Sequence, residues 1–425
     1  MSDIKKVDEN NSGEKQEAPS IKTSIFFGKY AIWIWTGFLL AGVWFSFTPL
    51  IAVSIFLLLL SVLTFFWKER SLKNLTPELR VNKSRIFAGE QFHAEASLKN
   101  NKWLPLIWVE WEFPNKNEVI WGEAKQEKYI IRFLWLLWFQ KISWSVKGEA
   151  AKRGVYHIGN ITLRSGDGFR FSEKEISCSL HQQLYIYPKL YPVTVPEFNP
   201  SIRWQVKGRQ GGFLEDPLII NGIREYQPGD EWRKFNWKAS ARTGKMLTNI
   251  YQPVVTKQVL IFIDVKGFYV QLNEEGDKLR ELIKLARKKQ EEFEYLLSIA
   301  ASVGEAYHQK GIQVGCYGNA INYLGNKQQY ISPAAEITPF LDSLAELTYR
   351  VGTGQKQVLD HMLYAGMMAD PFMIFCETIT KEHYQWYELH KHEVPLLGIY
   401  YLSESEYSQK LAGTAKNTNA LLASS

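Results

Sequence analysis

Two carboxylates stand where strand ends could carry chemistry. Asp264 closes the apolar run QVLIFIDV, and Glu377 closes PFMIFCE. Open parallel sheets bind ligands beyond the carboxyl ends of their strands, and a hard cation such as Mg needs several oxygen ligands. Asp264 is followed by Val265, Lys266, Gly267 and Phe268, which supply no hydroxyl and add a cation. Lys266 could pair with one of the acids in place of a metal. No cofactor is therefore expected, and a divalent cation held by Asp264 and Glu377 is the alternative. Of the late histidines, His390 and His392 are two apart and do not share a helical face, so His383, His390 and His392 read as a solvated surface. Neither GxSxG nor HExxH is present. GRQGG at 208–212 lacks the Lys-Ser/Thr of a phosphate loop and reads as a hinge.

A second constellation is GIREYQPGDEWRKFNWKASARTGKMLTN at 222–249. Arg224, Asp230, Arg233, Lys234, Lys238 and Arg242 alternate there with Tyr226, Trp232, Phe235 and Trp237. Pro228-Gly229 marks a turn, with Asp230 placed to cap the segment after it. Two readings stay open and are compatible. The charges can pair with one another and brace the chain, or Arg and Trp can form a docking surface or anion site.

These residues need elements to hold them. Residues 1–24 are polar and read as a disordered tail. Residues 75–190 are rich in aromatic and β-branched runs separated by Gly and Asn turns, the texture of a β-sandwich. Trp135, Trp138 and Trp144 are expected in its core and sheet faces, with interfacial contact as the alternative. Residues 191–255 form a charged, aromatic linker. From 256 to 402 strands and helices alternate, which implies an α/β domain with a mainly parallel sheet. One helix there places Leu296, Ile299, Ala300, Val303 and Tyr307 on a single face. Residues 403–425 read as a polar tail.

Tyr30 to Trp67 contains no Asp, Glu, Lys, Arg or His. One helix of that length would rise roughly 55 Å, whereas the hydrocarbon core is about 30 Å thick. Pro49 lies in the middle, so a transmembrane hairpin with spans at about 30–48 and 50–67 is expected. Lys22, Lys29, Lys68, Arg70 and Lys73 flank the pair and the connector has none, which puts both ends and the soluble part in the cytoplasm. Three scattered cysteines agree with a reducing compartment. The net charge of +6 suits an inner leaflet and demands no nucleic acid.

The segment from Gly222 onward closely resembles the signature of domain-of-unknown-function family 58, through Arg224, Tyr226, Pro228, Gly229, Asp230, Arg233, Trp237, Lys238, Ser240, Ala241 and Arg242. The resemblance continues upstream through KRGVYHIGNITLRSGDGFRF and downstream through ISPAAEITPFLDSLAEL, over roughly residues 75–400. It implies a membrane hairpin, a β domain and a von Willebrand factor A-like domain in a bacterial membrane protein. It also implies a partnership with a MoxR-type AAA+ ATPase. Many members carry Asp-x-Ser-x-Ser at the first A-domain strand; here Lys266 and Phe268 stand where the serines would be, so the metal site is degenerate. The run DKLRELIKLARKKQEE is a solvated helix or a partner-binding one. The expected function is that of a non-enzymatic, membrane-anchored adaptor or assembly factor whose cytoplasmic A-like domain binds a protein partner, with the signature segment bracing that domain and forming part of the contact. The alternative is an envelope-assembly factor or membrane enzyme using Asp264 and Glu377 as a carboxylate pocket.

Overall fold

The computed structural model describes residues 30–115, 118–122, 129–167, 170, 173–197, 215–253, 257–271, 277–368 and 371–423. The expected tail at 1–24 and the GRQGG hinge lie outside them. The chain divides into two units. One comprises Met1–Ser84, Gln91–Glu149 and His157–Leu184; the other comprises Arg85–Glu90, Ala150–Tyr156 and Tyr185–Ser425.

The first unit begins with helices α1 (Ala31–Trp44) and α2 (Thr48–Ser71). Pro49 starts α2, where its missing N–H costs nothing. The 24 residues of α2 are the one helix among the described residues long and apolar enough to cross a membrane. The 14 residues of α1 rise only about 21 Å, shorter than the expected first span at 30–48, while α2 extends past Trp67. The exposed face of α2 is mostly apolar while its buried residues are Ser54, Ser61, Thr64 and Ser71, and Lys68 and Arg70 fall in its last turn, next to the helix's negative pole.

The strands follow in order as β1 (Leu75–Val81), β2 (Arg85–Phe87), β3 (Gln91–Asn100), β4 (Leu106–Pro114), β5 (Val119–Trp121), β6 (Tyr129–Leu136), β7 (Lys141–Ala150), β8 (Gly154–Gly166) and β9 (Glu173–Tyr187), with β2, the start of β8 and the end of β9 belonging to the second unit. One sheet runs β1-β3-β7-β5; in the other, β9, β8, β4 and β6 lie side by side, with β6 at the edge. Alternation along β3 and β4 sends Phe92, Leu98, Trp111 and Phe113 inward. Trp144 joins them, its ring 5.0 Å from that of Trp111 and nearly perpendicular. Trp135 and Trp138 do not. The period of the edge strand β6 turns Leu134 and Leu136 inward and leaves Trp135 exposed, and Trp138 lies exposed in the turn that follows.

In the second unit the expected linker contains a folded hairpin. Strands β10 (Glu215–Glu225) and β11 (Leu247–Pro253) pair antiparallel, and between them lie a 3-10 turn (Trp232–Lys234) and helix α3 (Trp237–Thr243). Beyond it come β12 (Gln258–Ile263), α4 (Asp277–Gln309), β13 (Gln313–Gly318), β14 (Ala320–Asn322), β15 (Ile331–Ala334), α5 (Thr338–Glu346), β16 (Leu347–Val351), α6 (Gln355–Tyr364), β17 (Phe372–Cys376), α7 (Lys381–His390) and β18 (Leu397–Tyr401). They are followed by α8 (Glu406–Lys410) and β19 (Ala415–Asn417). The six-stranded mixed sheet has the order β15-β13-β12-β17-β18-β19; β15 is antiparallel and the other strands run parallel.

Both faces of this sheet are buried, as a sheet of parallel strands requires. Val259, Ile261 and Ile263 pack with α4 and α5, while Leu260 and Phe262 pack with α6 and α7. The charged run DKLRELIKLARKKQEE is the first half of α4, continuous with the expected face Leu296, Ile299, Ala300, Val303 and Tyr307, all buried. Residues 403–423 are not a tail. Ser405 caps α8, β19 joins the sheet edge, and Leu411, Ala415 and Leu421 are buried. A few apolar residues spaced among polar ones suffice, and the polar average hides them. Arg153 belongs to this unit, with Nε and Nη2 forked onto Glu294 at 2.8 and 2.9 Å and Nη1 donating to the Leu347 carbonyl at 2.9 Å.

Candidate functional site

The parallel strands have the order 2-1-3-4-5 in chain sequence, with β12 as the first and β17 as the third. In such sheets the crevice opens between these two strands, where the winding reverses. Asp264 leaves β12 and Glu377 leaves β17 at the same end, and the Asp264 N–H donates to the Phe375 carbonyl at 2.8 Å. Both expected carboxylates thus flank the expected crevice.

Neither is free. Asp264 is buried, and its Oδ1 accepts from Asn319 Nδ2 at 2.6 Å and from the Lys266 backbone N–H at 2.9 Å. Asn319, at the end of β13, turns its own Oδ1 to the Val265 N–H at 2.9 Å. His383, expected on a solvated surface, is buried beside them. Its Nε2 lies 3.4 Å from Asp264 Oδ2 without a hydrogen bond. The Thr380 N–H donates to His383 Nδ1 at 3.2 Å, in a capping box at the start of α7. The neutral ring therefore carries its proton on Nε2, facing the carboxylate. Burial pushes Asp264 up to about 6 against the N–H donors of Lys266 and Asn319. Burial, reinforced by the charge of Lys266, holds His383 down to about 3.

Glu377 is occupied by a lysine other than the one expected. The Lys266 ammonium turns away to Glu382 at 3.0 Å, and Lys289 from α4 pairs with Glu377. Glu292 shares that ammonium at 3.2 Å. Burial opposes the charge on Lys289, but the hydrogen bonds and fields of Glu377 and Glu292 outweigh it and raise its pKa. Gly267, at φ +102, lets the chain pass Glu377, because a Cβ there would collide with Oε2. These residues do not suit a divalent cation. Asp264 Oδ1 is taken by N–H donors, its Oδ2 faces His383, Glu377 holds an ammonium, and no group of three or more His, Cys, Asp or Glu arranged to hold a metal ion occurs among the described residues. Cys376, next to Glu377, is buried with its thiol held well above the usual range by burial, which leaves it inert.

The signature segment divides into a brace and a surface. Arg224 forks onto Asp230 at 2.8 and 2.6 Å, and Asp230 also accepts from the Gln227 N–H at 2.9 Å. Asp230 thus closes the turn, and it is Asn236 that caps α3, accepting from the Ala239 N–H at 2.9 Å. Ser240 Oγ accepts from the Leu247 N–H at 2.9 Å and ties α3 to β11. Tyr226, Trp232 and Trp237 gather around the buried Phe235, with the Phe235 and Trp237 rings 4.4 Å apart. Trp232 and Trp237 keep most of their surface in solvent. Arg233, Lys238 and Arg242 are exposed, and no hydrogen bond or ion pair holds their side chains among the described residues.

A family model matches the chain at this segment. The family described as "Protein of unknown function DUF58" matches residues 222–316. That range holds most of the signature hairpin, Asp264 and Lys289. The uncharacterized protein YeaD of Bacillus subtilis (strain 168) is 24% identical over 200 residues, 45% of this chain and 48% of that protein. The match thus spans about half the length of this curated relative. Among solved structures the chain is similar to the CARDB domain of the PF1109 protein from Pyrococcus furiosus, at 11% identity, 26% of this chain, 91% of that one and TM-score 0.19. It is also similar to the sporulation control protein Spo0M from Bacillus subtilis, at 9% identity, 27% of this chain, 50% of that one and TM-score 0.16. Likeness at those TM-scores carries no weight for function.

Sequence reasoning passed over Lys289 and Asn319 and misplaced His383. Lys289 had a signal, because with Phe293, Leu296 and Ala300 it falls on the buried stripe of α4. Thr380-x-x-His383 has capping-box spacing, though with His in place of Glu or Gln. Asn319 follows a strand by one residue and had no signal of its own.

Proposed function

We propose that the protein is a membrane-anchored adaptor, not an enzyme, whose α/β unit binds a protein partner through the signature hairpin. The observation that carries this reading is the contrast between the two candidate sites. The strand-end carboxylate Glu377 is already paired with the chain's own Lys289, whereas the hairpin offers Arg233, Lys238 and Arg242 uncommitted beside Trp232 and Trp237. Charges already paired contribute little to a new interface; unpaired arginines beside tryptophans are typical of hot spots. We take the α/β unit as a von Willebrand factor A-like domain, a reading supported by its central parallel strands with helices on both faces. In it the usual metal bridge is replaced by an internal cation. We take α1 and α2 as a two-span hairpin with the soluble units cytoplasmic, supported by the flanking lysines and arginines. The partner proposed from the family resemblance is a MoxR-type AAA+ ATPase.

The test is chemical crosslinking and mass spectrometry of the detergent-solubilised full chain together with that ATPase. Crosslinks from Lys234 or Lys238 to the ATPase are expected, and R233E/R242E, which keeps both lysines, should abolish them without shifting the unfolding midpoint. Recovery of external envelope proteins alone, or an R233E/R242E variant that crosslinks like the parent, would overturn the proposal.

A further inference from the structure

We infer that the loops 101–104 and 137–140 of the first unit form a tip that inserts into the lipid headgroup layer beside the end of α2. The two loops are one object. Asn100 Nδ2 donates to the Leu104 carbonyl at 3.0 Å and to the Leu137 carbonyl at 2.9 Å, and the Trp103 and Phe139 rings meet edge to face at 5.6 Å. This object is bolted to the helix. The Lys102 ammonium donates to the Ser71 carbonyl, at the last residue of α2, and to the Lys73 carbonyl at 2.6 Å. The Asn101 N–H donates to the Asn74 carbonyl at 3.0 Å, and Asn101 Nδ2 donates to Thr76 Oγ1 at 2.8 Å.

The tip presents apolar surface to solvent: Trp103 is 77% exposed, Trp138 54% and Phe139 52%. The exposed strip continues along the outer face of the edge strand β6 through Phe133 and Trp135. Neither 101–109 nor 129–142 contains an Asp or Glu. A soluble face of this kind would invite association.

The covering partner is identified by position and chemistry. Lys68 and Arg70 occupy the last turn of α2, the level at which a spanning helix meets headgroups. The tip is hydrogen-bonded to that same turn, so its tryptophans stand at the depth where indole, apolar with one N–H donor, is most at home. With Lys102 consumed by carbonyls, the contact is made by aromatic rings rather than by charge.

The inference rests on reading α2 as a membrane span, and the experiment separates the two. The full chain, with Cys178→Ser and one introduced cysteine, is nitroxide-labelled and reconstituted into phosphatidylethanolamine–phosphatidylglycerol vesicles. Relaxation by oxygen, which partitions into lipid, is compared with relaxation by a water-soluble nickel chelate. Labels at Leu59→Cys, Trp103→Cys and Phe139→Cys should each show an oxygen-to-nickel ratio several-fold above that at Gln91→Cys, at the far end of β3. Leu59 in lipid with Trp103 and Phe139 open to nickel would overturn the tip and leave the span standing. Leu59 open to nickel would overturn both. Spin–spin broadening at the tip, or shielding from both reagents, would assign the surface to a second copy or another protein and also overturn the inference.

Discussion

Replacing Lys289 with Met tests whether the chain's own cation holds the crevice. The substitution keeps the length and apolar stem of the side chain and removes only the ammonium. Removing one member of a fully buried ion pair costs about 3–5 kcal/mol, because the survivor is left charged and unpaired. Here the Glu377 side chain is 9% exposed and that of Lys289 19%, so limited water reaches the survivor. That screening brings the expectation down to about 2–3 kcal/mol. E377Q should cost less, since Lys289 keeps Glu292 at 3.2 Å. K289M/E377Q should recover most of the loss, giving a coupling energy of about 2 kcal/mol. Chemical denaturation of the full chain in detergent, followed by tryptophan fluorescence, reads all four proteins. Equal midpoints for K289M and the parent, or losses that simply add in the double variant, would refute the reasoning. So would a saturable rise of the parent's midpoint on adding magnesium, because it would mean the carboxylates are available to a metal.

Two further outcomes concern the same unit. Asp264, raised from 3.8 to about 6, contributes stability below its unfolded value that is lost as pH rises through 6. His383, lowered from 6.5 to about 3, contributes stability above 6.5 that is lost as pH falls toward 3. The slopes oppose each other between 3.8 and 6, so D264N should lose stability more steeply than the parent as pH drops through that window, and parallel denaturation profiles would count against it. Arg153, only 6% exposed on its side chain, should cost roughly 3 kcal/mol as Ala, because it leaves carbonyls unsatisfied. R153K should recover only part of that, since an ammonium cannot reproduce the fork; full recovery in the same denaturation assay would refute the role given to its geometry.

Much of the architecture was legible because it rests on periods and breaks. The period of 3.6 in FEYLLSIAASVGEAY placed Leu296, Ile299 and Val303 on the buried face of α4, and Pro49 marked the start of α2. Strand-end position alone brought Asp264 and Glu377 to one crevice. The same reasoning misplaced Trp135 and Trp138, because their residue type favours burial and nothing local says that β6 is an edge. It also took 403–425 for a tail, because composition averages over Leu411, Ala415 and Leu421.

The sequence by itself determined the long helix α4, the buried strands β12 and β17, the apolar helix and the Pro-Gly turn of the signature, since each depends on neighbours a few residues apart. The tertiary structure alone decided which charge meets which. Lys266 lies two residues from Asp264, yet its ammonium goes to Glu382, while Lys289 reaches Glu377 across 88 residues of chain. Lys102 reaches back to the end of α2 in the same way. A long cationic side chain pairs with whatever the packed backbone places within its reach, and that neighbourhood exists only after the sheets and helices have closed around it.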